Sequence, residues 1–85
     1  METNLCVIAG GGILPRQIAD NFDPSGDRVF FLAFRNVTDP KVVVERQHEW
    51  LELGEVQKAI DAMHRNSVGK VVMAGPIHRP ALSSL

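Results

Sequence analysis

Two short segments hold most of the residues in this chain that could take part in chemistry: Gly10-Gly11-Gly12-Ile13-Leu14-Pro15 and Gly75-Pro76-Ile77-His78-Arg79-Pro80. Glycines without side chains let a backbone approach a phosphate closely, and the free N–H groups of a helix that starts just after them point at the anion. Arg79 adds a guanidinium suited to phosphate oxygens, and His78 a further donor. The expected chemistry is therefore the binding of a phosphorylated small molecule. Each residue also has a plainer role open to it. A strand–glycine–helix turn can be glycine-rich for tight packing alone, Arg79 and His78 can be solvated loop residues, and Pro80 can simply shape its loop.

Other chemistry is thin. Gly10-x-Gly12 supplies two glycines of the dinucleotide fingerprint, but its third position falls on Pro15, and Phe34-Arg35-Asn36 stands where an acidic residue would take a ribose hydroxyl. No Gly-Lys-Ser/Thr follows, which excludes a P-loop. His48, His64 and His78 lie on different elements without metal-ligand spacing, and Cys6 has no cysteine partner, which argues against zinc. Ser83-Ser84 have no nucleophile context. No complete catalytic constellation is visible.

The elements that must position the two segments follow from hydrophobic patterning. Leu5–Ala9 is an unbroken apolar run ending in glycines, the mark of a strand covered on both faces. Leu14, Ile18, Ala19 and Phe22 share one helical stripe, with Pro15 in the first turn where a missing N–H is tolerated. Asp23-Pro24-Ser25-Gly26-Asp27 stops that helix. A second buried strand is expected over 28–34, coil over 36–45, and a third, edge-like strand over 49–53. Val56, Ala59, Ile60 and Met63 fall at i, i+3, i+4 and i+7 of an amphipathic helix whose start carries Glu55 and whose end carries His64-Arg65, the charge order a helix dipole favours. A fourth buried strand is expected over 71–74, closed by Gly75-Pro76. Alternation of strands and helices argues for an α/β, Rossmann-like parallel sheet in the order 3-2-1-4 with helices on both faces. The chain then leaves strands one and four in opposite directions, and a crevice between their carboxyl ends is where such sheets bind ligands. Both glycine segments lie there.

Composition sets the outer limits. Eighty-five residues make one small domain at most. A net charge of −1 without a basic run argues against nucleic acid or an anionic membrane surface. The single cysteine in an apolar run suits a reducing cytoplasm, and no apolar stretch approaches the ~20 residues of a membrane span.

The residues from Leu5 to Pro15 resemble the opening of the bacterial UDP-2,3-diacylglucosamine pyrophosphatases of the LpxI type. The likeness continues through Arg28–Ala33, Thr38-Asp39-Pro40, Leu53-Gly54 with the helix after it, and Lys70-Val71-Val72-Met73-Ala74-Gly75 with Arg79-Pro80. Gly-Gly-Gly-x-Leu-Pro paired with Met-Ala-Gly-x-x-x-Arg-Pro is a specific combination, although Pro76 stands where members often carry a basic or small polar residue. The resemblance implies a hydrolase of Gram-negative lipid A biosynthesis. It would cleave the pyrophosphate of UDP-2,3-diacylglucosamine to UMP and 2,3-diacylglucosamine 1-phosphate (lipid X), with a divalent cation, usually Mg2+. It further implies that this chain is the amino-terminal domain, spanning 1–85 and incomplete, with the catalytic and metal-binding acids in a carboxyl-terminal domain. On that basis the expected substrate-binding residues are Gly10, Gly11, Gly12, Ile13, Leu14, Pro15, Gly75, His78, Arg79 and Pro80, and the chain alone is expected to be inactive. Expected partners are the UDP-linked lipid or its product and no nucleic acid, with any contact to the inner face of the inner membrane made by the other domain. Two further classes stay open: a stand-alone nucleotide- or sugar-phosphate-binding module, and a structural domain that self-associates through an exposed edge strand near Trp50.

Overall fold

The computed structural model describes residues 4–77. Strands β1 (Asn4–Ala9), β2 (Val29–Phe34), β3 (Gln47–Leu51) and β4 (Val68–Ala74) alternate with helices α1 (Leu14–Phe22) and α2 (Val56–Arg65). All strand pairings are parallel, and the order is β3-β2-β1-β4, as the alternation of elements predicts. Alternate residues of each strand feed two cores. Leu5, Val7, Ala9, Val29, Phe31 and Ala33 pack with α1 through Ala19, Ile18 and Phe22. Cys6, Phe30, Leu32 and Leu51 pack with α2 through Ala59, Ala62 and Met63. β1 and β2 read as continuous apolar runs because both of their faces are covered.

Three expectations need correction. The third strand lies two residues earlier than 49–53. Phe30 pairs with Gln47 and Phe34 with Leu51, which buries Leu51 and turns Trp50 toward the α1 side. Glu52 to Gly54 then form the turn, with Gly54 at φ +98. The 36–45 segment is not simply coil: Pro40–Val42 is a 3-10 turn capped by the Asp39 side chain, which accepts from the Lys41 N–H. Val42 and Val43, equally compatible with a strand by propensity, are buried in the α1-side core. Arg16 fastens this segment to α1 by donating to the Val42 carbonyl at 3.0 Å, and Arg46 pairs with Asp20 of α1. Finally, β4 begins at Val68 and is not a buried strand. It forms the second sheet edge, with Val71 48% and Met73 67% exposed, because no described element lies against its outer edge. No helix among the described residues is long and apolar enough to cross a membrane.

Candidate functional site

β1 and β4 run side by side in register to their carboxyl ends, where Ala9 pairs with Ala74. Their glycine segments therefore leave the sheet at the same level. The Gly10 N–H donates to the Ala74 carbonyl and the Gly11 N–H to the Pro76 carbonyl, each at 2.7 Å. The backbones touch. A Cβ on Gly10 would lie 2.3 Å from the Gly75 carbonyl oxygen, and one on Gly75, at φ +87, would lie 2.3 Å from the Gly11 oxygen. The expected crevice is thus closed at its base by glycine-to-glycine contact.

The opening lies one step further on. Gly12 has φ +79, and a Cβ there would meet nothing within 4 Å. Ile13 and Leu14 are exposed as well. Arg16 and Gln17 donate to the Ile13 carbonyl as α1 begins, while the N–H groups of Gly12, Ile13 and Leu14 have no protein acceptor among the described residues. No side chain caps α1. Three donors at a helix start, beside a glycine that leaves space in front of them, can receive an anionic oxygen. Pro15 is buried and starts the helix, so it shapes the site from beneath.

The predicted residues are therefore divided. Gly10 and Gly75 act as packing contacts, Gly11 lies between the Val37 and Pro76 carbonyls at 3.5 and 3.6 Å from its would-be Cβ, and Gly12 to Leu14 face the opening. His78, Arg79 and Pro80 lie outside the described residues.

Sequence patterning missed Thr38 as a part of the site. It is 5% exposed. Its Oγ1 donates to the Ala9 carbonyl at 2.6 Å and accepts the Phe34 N–H at 2.8 Å. One hydroxyl thereby ties the end of β1, just before Gly10, to the end of β2. The Thr-Asp-Pro triplet carried the signal, but nothing in it says what the hydroxyl reaches. Two depressions flank this end of the sheet. One, of about 580 Å3, is lined by Arg35, Asn36, Thr38, Pro40 and Trp50; Arg35 there is paired with Glu52 at 3.2 Å. The other is a groove of about 290 Å3 on the α2 side, walled by Ile8, Phe34, Ile60, Met63, Met73 and Ile77. Its charged rim residue, Glu55, is held below the usual carboxylate range by the Glu52 N–H and by Lys58, so it stays ionised and engaged.

Among the described residues, no three His, Cys, Asp or Glu side chains converge on one point. The described residues thus hold no all-protein cage of three such ligands, while an ion held by one or two carboxylates and the phosphates of a substrate would not need one.

The family model of the LpxI N-terminal domain matches residues 4–85. The chain belongs to the LpxI family. That places it with enzymes of lipid A biosynthesis, and the match runs through both glycine segments. No curated protein matches the chain.

Proposed function

We propose that this LpxI domain is the substrate-binding part of a UDP-2,3-diacylglucosamine pyrophosphatase, and that its glycine turn receives a phosphate of the substrate or of lipid X. The observation that carries this reading is the start of α1: three N–H groups without protein acceptors, behind a glycine with open space before it. The apolar groove at the same end of the sheet supports it, since a diacylated sugar phosphate needs a polar grip next to an apolar wall. Magnesium and the hydrolytic groups are proposed to be supplied from outside the described residues, so hydrolysis, with release of UMP, requires more than this segment.

The test uses two substitutions at one position. Asn and Asp both tolerate a left-handed backbone, so Gly12→Asn and Gly12→Asp should keep the fold while projecting a side chain into the opening. Binding of lipid X in detergent micelles, followed by amide shifts of Gly12, Ile13 and Leu14, should weaken in Gly12→Asn. It should weaken further, by about tenfold, in Gly12→Asp, whose carboxylate meets the phosphate. Equal effects from the two variants, or shifts centred elsewhere, would remove the phosphate from this turn. Release of UMP by the 85-residue chain alone would contradict the assignment of catalysis elsewhere.

A further inference from the structure

The two depressions that border the glycine junction differ in kind. The groove on the α2 side, with Ile8, Met63 and Met73 in its wall, is apolar. The larger one, of about 580 Å3, is lined by Arg35, Asn36, Thr38, Pro40 and Trp50. It is tied to the glycine turn directly. The Thr38 hydroxyl in its wall bonds the Ala9 carbonyl just before Gly10, and the Val37 carbonyl lies 3.5 Å from the place of a Cβ on Gly11.

Three side chains set the chemistry of this larger depression. Trp50 rests against the α1-side core and is only partly covered, and His48 meets its ring at 85° with centroids 6.2 Å apart, which restricts how the indole can turn. Asn36 stands just past the end of β2 with a left-handed backbone at φ +65, is exposed, and has no protein partner for its carboxamide among the described residues. A carboxamide sets a donor beside an acceptor, the pattern that meets the edge of a pyrimidine base. Arg35 is held at the rim through one guanidinium nitrogen by Glu52 at 3.2 Å, which leaves its other N–H groups to an incoming oxygen. In parallel sheets whose first turn binds a pyrophosphate, the end of the second strand receives the adjoining ribose.

Given the UDP-linked substrate proposed above, we infer that this depression holds its nucleoside end: the base against Trp50 and Asn36, the ribose beside Arg35, and the pyrophosphate over the start of α1. The acyl chains then leave toward the apolar groove. Nucleoside, pyrophosphate and acylated sugar thereby match polar depression, glycine turn and apolar groove in one order. The reverse placement would set alkyl chains against Arg35 and Asn36, and a base against Met63 and Met73 with its polar edge unpaired.

Nuclear magnetic resonance shifts of the isotope-labelled 85-residue chain test this with inorganic phosphate, uridine and UMP as probes. UMP should move the Trp50 indole N–H and the Asn36 amides together with Gly12, Ile13 and Leu14. Uridine should move the first set alone, and phosphate the second set alone. Asn36→Gly keeps the positive φ and removes the carboxamide, so uridine should bind about tenfold more weakly. Trp50→Leu should weaken uridine binding by about tenfold or more, and Trp50→Phe, which keeps an aromatic face, should recover most of the loss. A UMP response confined to Gly12, Ile13 and Leu14, or uridine binding unchanged in both Asn36→Gly and Trp50→Leu, overturns the nucleoside assignment and leaves the phosphate at the turn. A uridine response at Trp50 and Asn36, with the turn silent to phosphate and UMP, overturns the phosphate assignment instead. Silence of both sets overturns both.

Discussion

Substituting alanine for Gly10 tests the contact on which the site is built. The added Cβ would stand 2.3 Å from the Gly75 carbonyl oxygen, 2.5 Å from its carbon and 2.6 Å from the Pro76 oxygen, all backbone atoms that no rotamer can move. Ordinary contact begins at 3.4 Å, so the two loops must part by roughly 1 Å, the overpacking regime that costs about 1–3 kcal/mol. Such a shift also stretches the 2.7 Å bonds from Gly10 to Ala74 and from Gly11 to Pro76, each worth about 1 kcal/mol. The total is about 2–4 kcal/mol, a fall in Tm of roughly 10–25 °C for a domain of this size. Gly11→Ala is the control. Its Cβ would have nothing nearer than 3.5 Å and its φ is not positive, so a change within about 0.5 kcal/mol is expected. Urea unfolding followed by the fluorescence of Trp50, the single tryptophan, gives both values from the midpoint at constant slope. Equal losses in the two variants would refute the backbone contact, because the residues before and after the substitution are nearly the same in both.

Thr38→Val should cost about 2–4 kcal/mol in the same assay, since it leaves the Ala9 carbonyl and the Phe34 N–H without their shared partner, whereas Thr38→Ser should recover most of the loss. Burial pushes the Cys6 thiol up to about 11 from its ordinary 9.0; native protein at pH 8 should therefore react with a disulfide reagent only after urea is added. The same shift should lower stability as pH rises from 9.0 toward 11, where the unfolded chain releases the proton first, and Cys6→Ala should remove this alkaline loss. Asp23 is held below its ordinary 3.8 by the Ser25 hydroxyl, with help from the Arg28 and Ser25 N–H groups. Its contribution is present above 3.8 and lost as pH falls through the lower folded value, so the urea midpoint of Asp23→Asn should depend less on pH in that range than that of the wild type.

Patterning served best where burial was two-sided or strictly periodic. β1, β2 and α2 announce themselves because an apolar residue at every strand position, or at helical spacing, has one physical explanation each. It served least where the meaning of a residue depends on a distant partner. Val42, Val43 and Val44 are β-branched and would suit a strand, yet Asp39-Pro40 starts a tight turn and the first two close a core. Met73 and Val71 look as buried as Leu5 and Val7. Only strand order shows that they lie at an edge. Glycine is the sharpest case. Gly10, Gly11 and Gly12 are chemically identical, but one excludes side chains by contact, one has room for a methyl, and one needs its left-handed backbone.

The same contact explains why two motifs far apart in the sequence are needed together. With Ala9 and Ala74 paired at the ends of parallel neighbours, both chains leave the sheet at one height and must cross within the width of a backbone. Neither crossing strand can carry a Cβ, which places glycine at both Gly10 and Gly75. The β2 end must be held at that same height, and the Thr38 hydroxyl does this by bonding to Ala9 directly before the crossing. Gly-Gly-Gly, Thr-Asp-Pro and Met-Ala-Gly are therefore parts of one junction. Its effect is to set the start of α1 rigidly at the end of the sheet with three donors facing outward. On this view, loosening the junction should weaken ligand binding even where no ligand atom touches it. Thr38→Ser, which keeps the bond with a less restricted side chain, should bind more tightly than Thr38→Val, even under conditions where both are fully folded. Equal affinity in the two would mean that the donors of α1 are held in place without the junction.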